Sequence, residues 1–197
     1  MKKITLKEMA ILALLIAMEV ILTRFLSIQT PVVRIGFGFL PIVIIAMLYG
    51  PVYAGVAAAM ADFLGAMLFP IGAYFPGFTF TAFLIGLVYG YFLYKKKPQN
   101  IEDTETIESK GTTNKATLVR DLLRISAAAF IVTVILQLAL DTLWISIITG
   151  SEYMVWLPLR AVRTAFMLPI QIILISLVMA SKQLFPALEE KSKQESE

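Results

Sequence analysis

The stretch GPVYAGVAAAMADFLGAMLFPIGAYFPGFT, residues 50 to 79, holds an apolar run, a turn and the start of a second apolar run. Its turn, residues 70 to 79, places two prolines and two glycines around Tyr74, Phe75 and Phe78. Turns between apolar segments are usually short and polar, because their backbone groups need water or fixed partners. The residues of this turn predict an ordered surface that can bind other groups, instead of a simple connection between two helices.

The composition of the chain is that of an integral membrane protein. Hydrophobic residues make up 58% of its 197 positions, charged residues 16%, and the mean hydropathy is +0.80. Ordinary soluble domains have roughly 25% charged residues. The chain has no cysteine and no histidine, which excludes disulfides, thiolate nucleophiles, Cys/His zinc sites and imidazole proton relays. We expect neither a metal site nor a cofactor. The expected surroundings are a lipid bilayer, and no nucleic-acid partner is expected.

Six apolar segments come close to the roughly 17 to 25 residues that a membrane-spanning helix needs. They run from Met9 to Leu26, Val32 to Tyr49, Val52 to Phe69, Phe78 to Tyr94, Leu122 to Ile148 and Leu157 to Ala180. The predicted fold is an all-α bundle of six transmembrane helices in a single domain, residues 1–197. The polar stretch 95–120 predicts a flexible cytoplasmic loop between the fourth and fifth helices, and residues 182–197 predict a polar tail.

The distribution of positive charge predicts the orientation in the membrane. An even number of spans places both termini on one side. Of the 17 lysines and arginines, all but four lie on that side, including Lys2, Lys3 and the run Lys95, Lys96 and Lys97. Since cytoplasmic loops carry an excess of lysine and arginine, both termini are expected to be cytoplasmic.

The four basic residues predicted at the opposite, outer side are all arginines: Arg24, Arg34, Arg160 and Arg163. Lysine would reach lipid headgroups equally well, whereas the planar guanidinium suits bidentate binding of a carboxylate or phosphate. Arg160 and Arg163 are three residues apart and so share a helix face. Two or more of these arginines are predicted to form an anionic ligand site; contacts with headgroups or with acidic side chains are the alternatives.

Two carboxylates lie inside predicted spans, where each costs several kcal/mol unless it is paired or hydrated. They are Asp62 and Asp141, and both are predicted to lie in the outer half. Gln137, Asp141 and Trp144 recur at i, i+4 and i+7, which predicts a polar stripe with one aromatic side chain. These residues are predicted either to line a ligand cavity or to form an internal ion pair between an Asp and an Arg.

Small residues recur at four-residue spacing in several spans. Ala10, Ala13 and Ala17 share one face of the first span, and Gly86 and Gly90 share a face of the fourth. Such patterns let another helix approach closely. Taken alone, each pattern favours internal packing over docking of a partner.

The sequence contains no motif for catalysis or for energy coupling. It has no G-x-x-x-x-G-K-[ST] loop, no H-E-x-x-H and no G-x-S-x-G. A membrane enzyme or a structural scaffold is therefore a poor explanation, and a stand-alone carrier would need an ion route or repeated halves that are not evident. The pattern favours a substrate-capturing subunit of a larger transporter.

Four stretches carry a resemblance to a known family. They are LTRFLSIQTPVVRIGFGFLPI (22–42), residues 50–79 quoted above, LDTLWISIITG (140–150) and LPLRAVRTAFMLPI (157–170). They resemble an S component, the substrate-binding membrane subunit, of energy-coupling factor (ECF) transporters, of the folate-binding type. This resemblance implies a non-enzymatic subunit of the bacterial cytoplasmic membrane that captures folate outside and docks on a T component and two ATPases.

The resemblance also implies roles for particular residues. The partner-docking face is implied at Ala10, Ala13 and Ala17. Folate, with two carboxylates and a flat pterin, is complementary to arginines, an acid and aromatic side chains. The implied folate contacts are Arg24, Arg34, Asp62, Tyr74, Phe75, Phe78, Thr79, Gln137, Asp141, Trp144, Arg160 and Arg163. Asp141, where the family commonly has Asn, is expected to recognise pterin nitrogens or to neutralise an arginine. The alternative role for the aromatic turn is an aromatic belt at the membrane interface. The alternative ligand is another flat anionic vitamin.

Overall fold

The computed structural model describes residues 6–29, 34–70, 74–94 and 115–194, which form six helices. These are α1 (Leu6–Arg24), α2 (Phe39–Tyr49), α3 (Pro51–Leu68), α4 (Pro76–Leu93), α5 (Lys115–Phe130, the π-helical Ile131–Leu140, and Asp141–Thr149) and α6 (Tyr153–Gln194). Between α1 and α2, the two-residue strands β1 (Ile28–Gln29) and β2 (Arg34–Ile35) pair antiparallel, with Gln29 opposite Arg34. The predicted all-α bundle of six helices is confirmed.

Four of the described helical segments are long and apolar enough to cross a membrane. They are Pro51–Leu68, Pro76–Leu93, Val119–Thr149 and Tyr153–Met179. Helix α2 is apolar but has only 11 residues. The 19 residues of α1 include Lys7, Glu8, Glu19 and Arg24. The orientation of the termini stays a prediction.

The second helix begins later than predicted. It was expected from Val32, but α2 begins at Phe39, and Arg34 lies in β2. A β-carbon on Gly38 would overlap the Thr23 side chain of α1, so this segment approaches α1 as close as a glycine allows. The prediction that this helix already includes Arg34 is wrong, because Arg34 and Ile35 pair with Gln29 and Ile28 as β-strands, a contact that the apolar pattern does not contain.

The predicted loop and tail differ from the structure at their ends. Residues 95–114 of the predicted loop lie outside the described residues, whereas 115–120 form the start of α5. Helix α6 continues through Gln194, so most of the predicted polar tail is helical.

Helices α3 and α4 pack more extensively than any other pair among the described residues. A β-carbon on Gly86 would overlap the backbone of Ala54, and one on Gly90 would overlap the backbone of Pro51. The two helices therefore meet with backbone against backbone, as small residues allow. This confirms that Gly86 and Gly90 serve internal packing.

All six helices contribute to the core. Its fully buried side chains include Val43, Ile45, Tyr89, Val132 and Ile175. One polar contact crosses this core, because the Tyr89 hydroxyl donates a hydrogen bond of 3.1 Å to Oε1 of Gln171. It connects α4 to α6 and satisfies a buried hydroxyl that would be costly to leave without a partner.

Candidate functional site

One end of the bundle collects most of the polar side chains predicted to bind a ligand. The C-terminal ends of α1, α3 and α5 meet the N-terminal ends of α4 and α6 there. The guanidinium of Arg24 lies over Gly65 of α3, whose added β-carbon would be 2.7 Å from Nε of Arg24. Contacts from Asp62 to α4, from Trp144 to α4 and from Arg160 to α5 occur at the same end. The sequence prediction of one polar end is therefore supported by these contacts.

A chain of hydrogen bonds connects the aromatic turn to Asp62. Oγ1 of Thr79 donates to Oδ2 of Asp62 at 2.9 Å, and the Tyr74 hydroxyl lies 3.1 Å from the same Oγ1. Because a hydroxyl has one proton, and Thr79 donates it to Asp62, Tyr74 is the donor to Thr79. The ring of Tyr74 also contacts Phe63 of α3 edge-on, at 5.8 Å between centroids. The turn is thus fastened to α3 by both polar and aromatic contacts.

The aromatic turn and α5 form a second cluster. The ring of Phe75 lies 5.6 Å from Trp144 and 6.4 Å from Phe78, measured between centroids. Nε1 of Trp144 donates a hydrogen bond of 3.0 Å to Oγ1 of Thr81. A β-carbon on Gly77 would lie 2.6 Å from both rings, Phe75 and Trp144. The predicted ordered turn is thus in direct contact with the predicted aromatic residue of α5.

Arg160 faces the interior of the bundle. Its side chain is 5% exposed and begins the buried stripe of α6 that continues with Thr164, Met167 and Gln171. Its Nη1 donates a hydrogen bond of 3.3 Å to Oγ1 of Thr142, and the Asp141 carboxylate attracts it electrostatically. This position is incompatible with a headgroup contact for Arg160, and it favours an ion-pair role for Asp141.

The other predicted residues on β2, α5 and α6 are Arg34, Gln137 and Arg163. Arg163 is half-buried beside the α6 stripe, and only the backbone of Arg34 is described. Gln137 is half-buried but lies in the π-helical stretch, where the Asp141 amide donates to the Leu136 carbonyl, five residues back. The i→i+5 hydrogen bonding alters the backbone between Gln137 and Asp141, and the predicted i, i+4, i+7 stripe stays a prediction.

Sequence analysis missed two threonines at this end. Thr81 accepts from Trp144 and Thr142 accepts from Arg160, and each also donates to a carbonyl of its own helix, Gly77 or Leu138. The one available signal was their position, since Thr142 is adjacent to Asp141 and Thr81 is two residues from Thr79. Among the described residues, no group of three or more acidic side chains could hold a metal ion.

Comparison with known proteins identifies the family. A family model described as ECF-type riboflavin transporter, S component, matches residues 3–184. The chain belongs to this family.

Two curated relatives of this S component are both called folate transporter FolT. The protein of Clostridium novyi (strain NT) is 41% identical over 175 residues, covering 89% of this chain and 88% of the relative. That of Leuconostoc mesenteroides is 26% identical over 175 residues, covering 86% and 83%. A solved structure, described as FolT bound with folic acid, has 35% identity and a TM-score of 0.71, and the match covers 87% of this chain and 91% of that one.

Family membership fixes the location and the class of this S component. Its described residues include four helices long and apolar enough to span a membrane, and it is a multi-pass protein of the cell membrane. It belongs to a family of transport proteins, not of enzymes.

The predicted docking face of this S component is exposed. Ala10, Ala13 and Ala17 are exposed on α1, while Leu15 and Val20 of the same helix are buried against the bundle. The alanines are flanked by exposed apolar side chains such as Leu14, which is 68% exposed. This exposure fits the predicted docking role, which stays a prediction.

Proposed function

We propose that this S component binds folate at the polar end of the bundle and delivers it to an ATP-driven module of one T component and two ATPases. The observation that supports folate most strongly is the likeness, over most of both chains, to a FolT solved with folic acid. The chain contributes capture of the vitamin, and the partner subunits contribute ATP hydrolysis. The chain itself needs no cofactor, because folate is the transported ligand.

The polar end has groups suited to both ends of folate. Guanidinium forks bind carboxylates in bidentate geometry, so Arg24, Arg160 and Arg163 are assigned to the two carboxylates of the glutamate tail. Flat rings stack on aromatic faces, so Phe75 and Trp144, whose centroids are 5.6 Å apart, are assigned to the pterin.

The two aspartates have different roles in this proposal. Asp62 accepts a hydrogen bond from Thr79 and is assigned to accept one from a pterin N–H. Asp141 attracts Arg160 electrostatically and is assigned to neutralise part of that charge. Partial neutralisation of its charge lowers the free-energy cost of keeping an arginine in the bundle interior before folate binds.

Riboflavin is the second candidate, because the matching family model is described by that vitamin. Riboflavin has a flat ring but no carboxylate, so it would use the aromatic cluster and leave Arg160 without an anionic partner from the ligand. The buried position of Arg160 therefore favours folate. Direct comparison of the two vitamins separates the candidates.

Binding to detergent-solubilised protein tests the ligand. Isothermal titration calorimetry with folate, pteroic acid and riboflavin should give stoichiometric binding of folate, weaker binding of pteroic acid and no saturable binding of riboflavin. Pteroic acid contains the pterin but has a single benzoate carboxylate in place of the glutamate and its two carboxylates, so its comparison with folate reports the contribution of the glutamate tail. Preferred binding of riboflavin would overturn the folate assignment.

Uptake by lipid vesicles tests the dependence on partners. Vesicles that contain only this chain should bind folate without concentrating it, whereas addition of the T component and both ATPases should give ATP-dependent uptake. Accumulation against a gradient by the chain alone would identify a stand-alone carrier.

A further inference from the structure

We propose that Thr81 is a positioning residue of the ligand site, and that its hydroxyl holds the Trp144 indole in the orientation that stacks on the pterin. This inference rests on the proposed folate function. It adds a residue that contacts no ligand but determines how a ligand-contacting side chain is presented.

The Thr81 hydroxyl donates one hydrogen bond and accepts another, and both assignments are fixed by its partners. Its side chain is 1% exposed, and it donates its single proton to the Gly77 carbonyl at 3.0 Å. Its oxygen then accepts the proton of Trp144 Nε1 at 3.0 Å. Because an indole nitrogen is only a donor, this contact can form with one arrangement of protons alone.

Gly77 holds the same indole from a second direction. A β-carbon at Gly77 would lie 2.6 Å from Cδ2 of Trp144 and 2.6 Å from Cε1 of Phe75, so the glycine backbone lies directly against both rings. The first two turns of α4 therefore contact the ring atoms of Trp144 through Gly77 and its N–H through Thr81. Since the Gly77 carbonyl is also the acceptor for Thr81, the two contacts form one unit.

Removal of the hydroxyl should release the indole. Thr81→Val keeps the branched shape but leaves the Trp144 N–H without its acceptor, and a polar group without a partner in an apolar setting tends to reorient. We expect folate affinity to fall roughly 3- to 10-fold, the effect of one hydrogen bond. Pteroic acid should lose the same factor, because the change affects the ring and not the glutamate tail.

Thr133 provides a matched control. It is a fully buried threonine of α5 whose hydroxyl donates to the Ala129 carbonyl at 2.7 Å and lies 3.4 Å from that of Phe130, both in its own helix. Thr133→Val therefore removes an equally buried hydroxyl without affecting a tryptophan. It should leave both affinities close to those of the wild type, and Thr81→Ser, which keeps the hydroxyl, should do the same.

A double-mutant cycle with Trp144→Phe tests whether Thr81 acts through the indole. Phenylalanine has no N–H, so Thr81→Val should have no further effect in that background. A spectroscopic measurement supports the cycle: in a Trp156→Phe background the fluorescence is that of Trp144, and Thr81→Val should shift its emission whereas Thr133→Val should not.

The outcomes separate this inference from the folate assignment. If the wild type does not bind folate, the folate function is wrong and the inference falls with it. If the wild type binds folate and Thr81→Val retains full affinity, or loses the same factor when Trp144 is already phenylalanine, only the role of Thr81 is overturned. Should Thr81→Val fail to fold, Thr81→Ala removes the same hydroxyl with less crowding and is judged by the same cycle.

Discussion

Replacement of Arg160 by alanine tests the proposed site most directly. Arg160 is buried, donates to Thr142 at 3.3 Å and is attracted by Asp141. Arg160→Ala therefore removes a positive charge that the bundle holds inside and leaves Asp141 without that attraction. The variant should lose folate affinity and stability for different reasons, and the two losses can be measured separately.

The loss of folate affinity follows from the removal of a buried charge partner. Truncation of one member of such a pair costs roughly 2 to 5 kcal/mol. At 1.4 kcal/mol per decade this is a loss of about 30-fold to several thousand-fold. Pteroic acid lacks the carboxylates of the glutamate, so its affinity should change far less than that of folate.

The loss of stability should be reversed by a second substitution. A buried charge without its partner destabilises a protein by roughly 3 to 5 kcal/mol. Because Asp141 is only half-buried, we expect the loss of stability to lie at or below the lower end of this range. Adding Asp141→Asn to Arg160→Ala should restore most of the melting temperature in detergent, because the amide carries no charge. It should not restore folate affinity, because the guanidinium is still absent.

Calorimetric affinities of folate and pteroic acid, measured with the melting temperature of each variant, form the assay. Arg124→Ala is the control, since Arg124 is an exposed arginine near the opposite end of α5. The reasoning is refuted if Arg160→Ala binds folate as the wild type does, or if it loses equal factors for folate and pteroic acid. Either result would limit Arg160 to a structural ion pair with Asp141.

Three further substitutions have distinct expected effects. Gly77→Ala would displace the Phe75 and Trp144 rings, so folate affinity should fall by calorimetry with little change in melting temperature. Gly90→Ala would overlap a backbone that cannot move locally, and it should lower the stability of the bundle by about 1 to 3 kcal/mol or more, measured by thermal unfolding. Ala17→Leu adds bulk to the exposed face of α1, so it should weaken co-purification with the energy-coupling module while folate affinity is kept; an equal loss of both would point to internal packing.

The sequence allowed the bundle and its polar end to be predicted. Long apolar runs define spanning helices by length and composition, and an antiparallel chain of six helices returns every second connection to the same end. Arg24, Asp62, Trp144 and Arg160 could therefore be assigned to one end before their contacts were known. These inferences need only local composition and the alternation of direction.

The remaining features depend on contacts between distant parts of the chain. The late start of α2 reflects the pairing of β2 with β1, and the apolar residues before α2 gave no sign of that pairing. The π-helical part of α5 changes the backbone hydrogen bonding around Gln137, yet its residues also fit an ordinary α-helix. Thr81 looked unremarkable because a threonine inside a helix commonly bonds a carbonyl of its own turn, and the sequence does not show which neighbour donates to it.

The three threonines at the polar end explain how the site is ordered before the ligand arrives. Thr79 donates to Asp62, Thr81 accepts from Trp144 and Thr142 accepts from Arg160. Each contact uses part of the capacity of its partner: one of several lone pairs of a carboxylate, one of five guanidinium N–H groups, or the edge of an indole whose face is not used by the bond. A ligand that contacts these side chains does not have to immobilise them itself, and each immobilised side chain would otherwise cost roughly 0.5 to 1.5 kcal/mol. Since the hydroxyls of Thr81 and Thr142 are fixed by carbonyls of their own helices, the order around them derives from the backbone of α4 and α5, and substitution of either threonine should weaken binding without removing any atom assigned to folate.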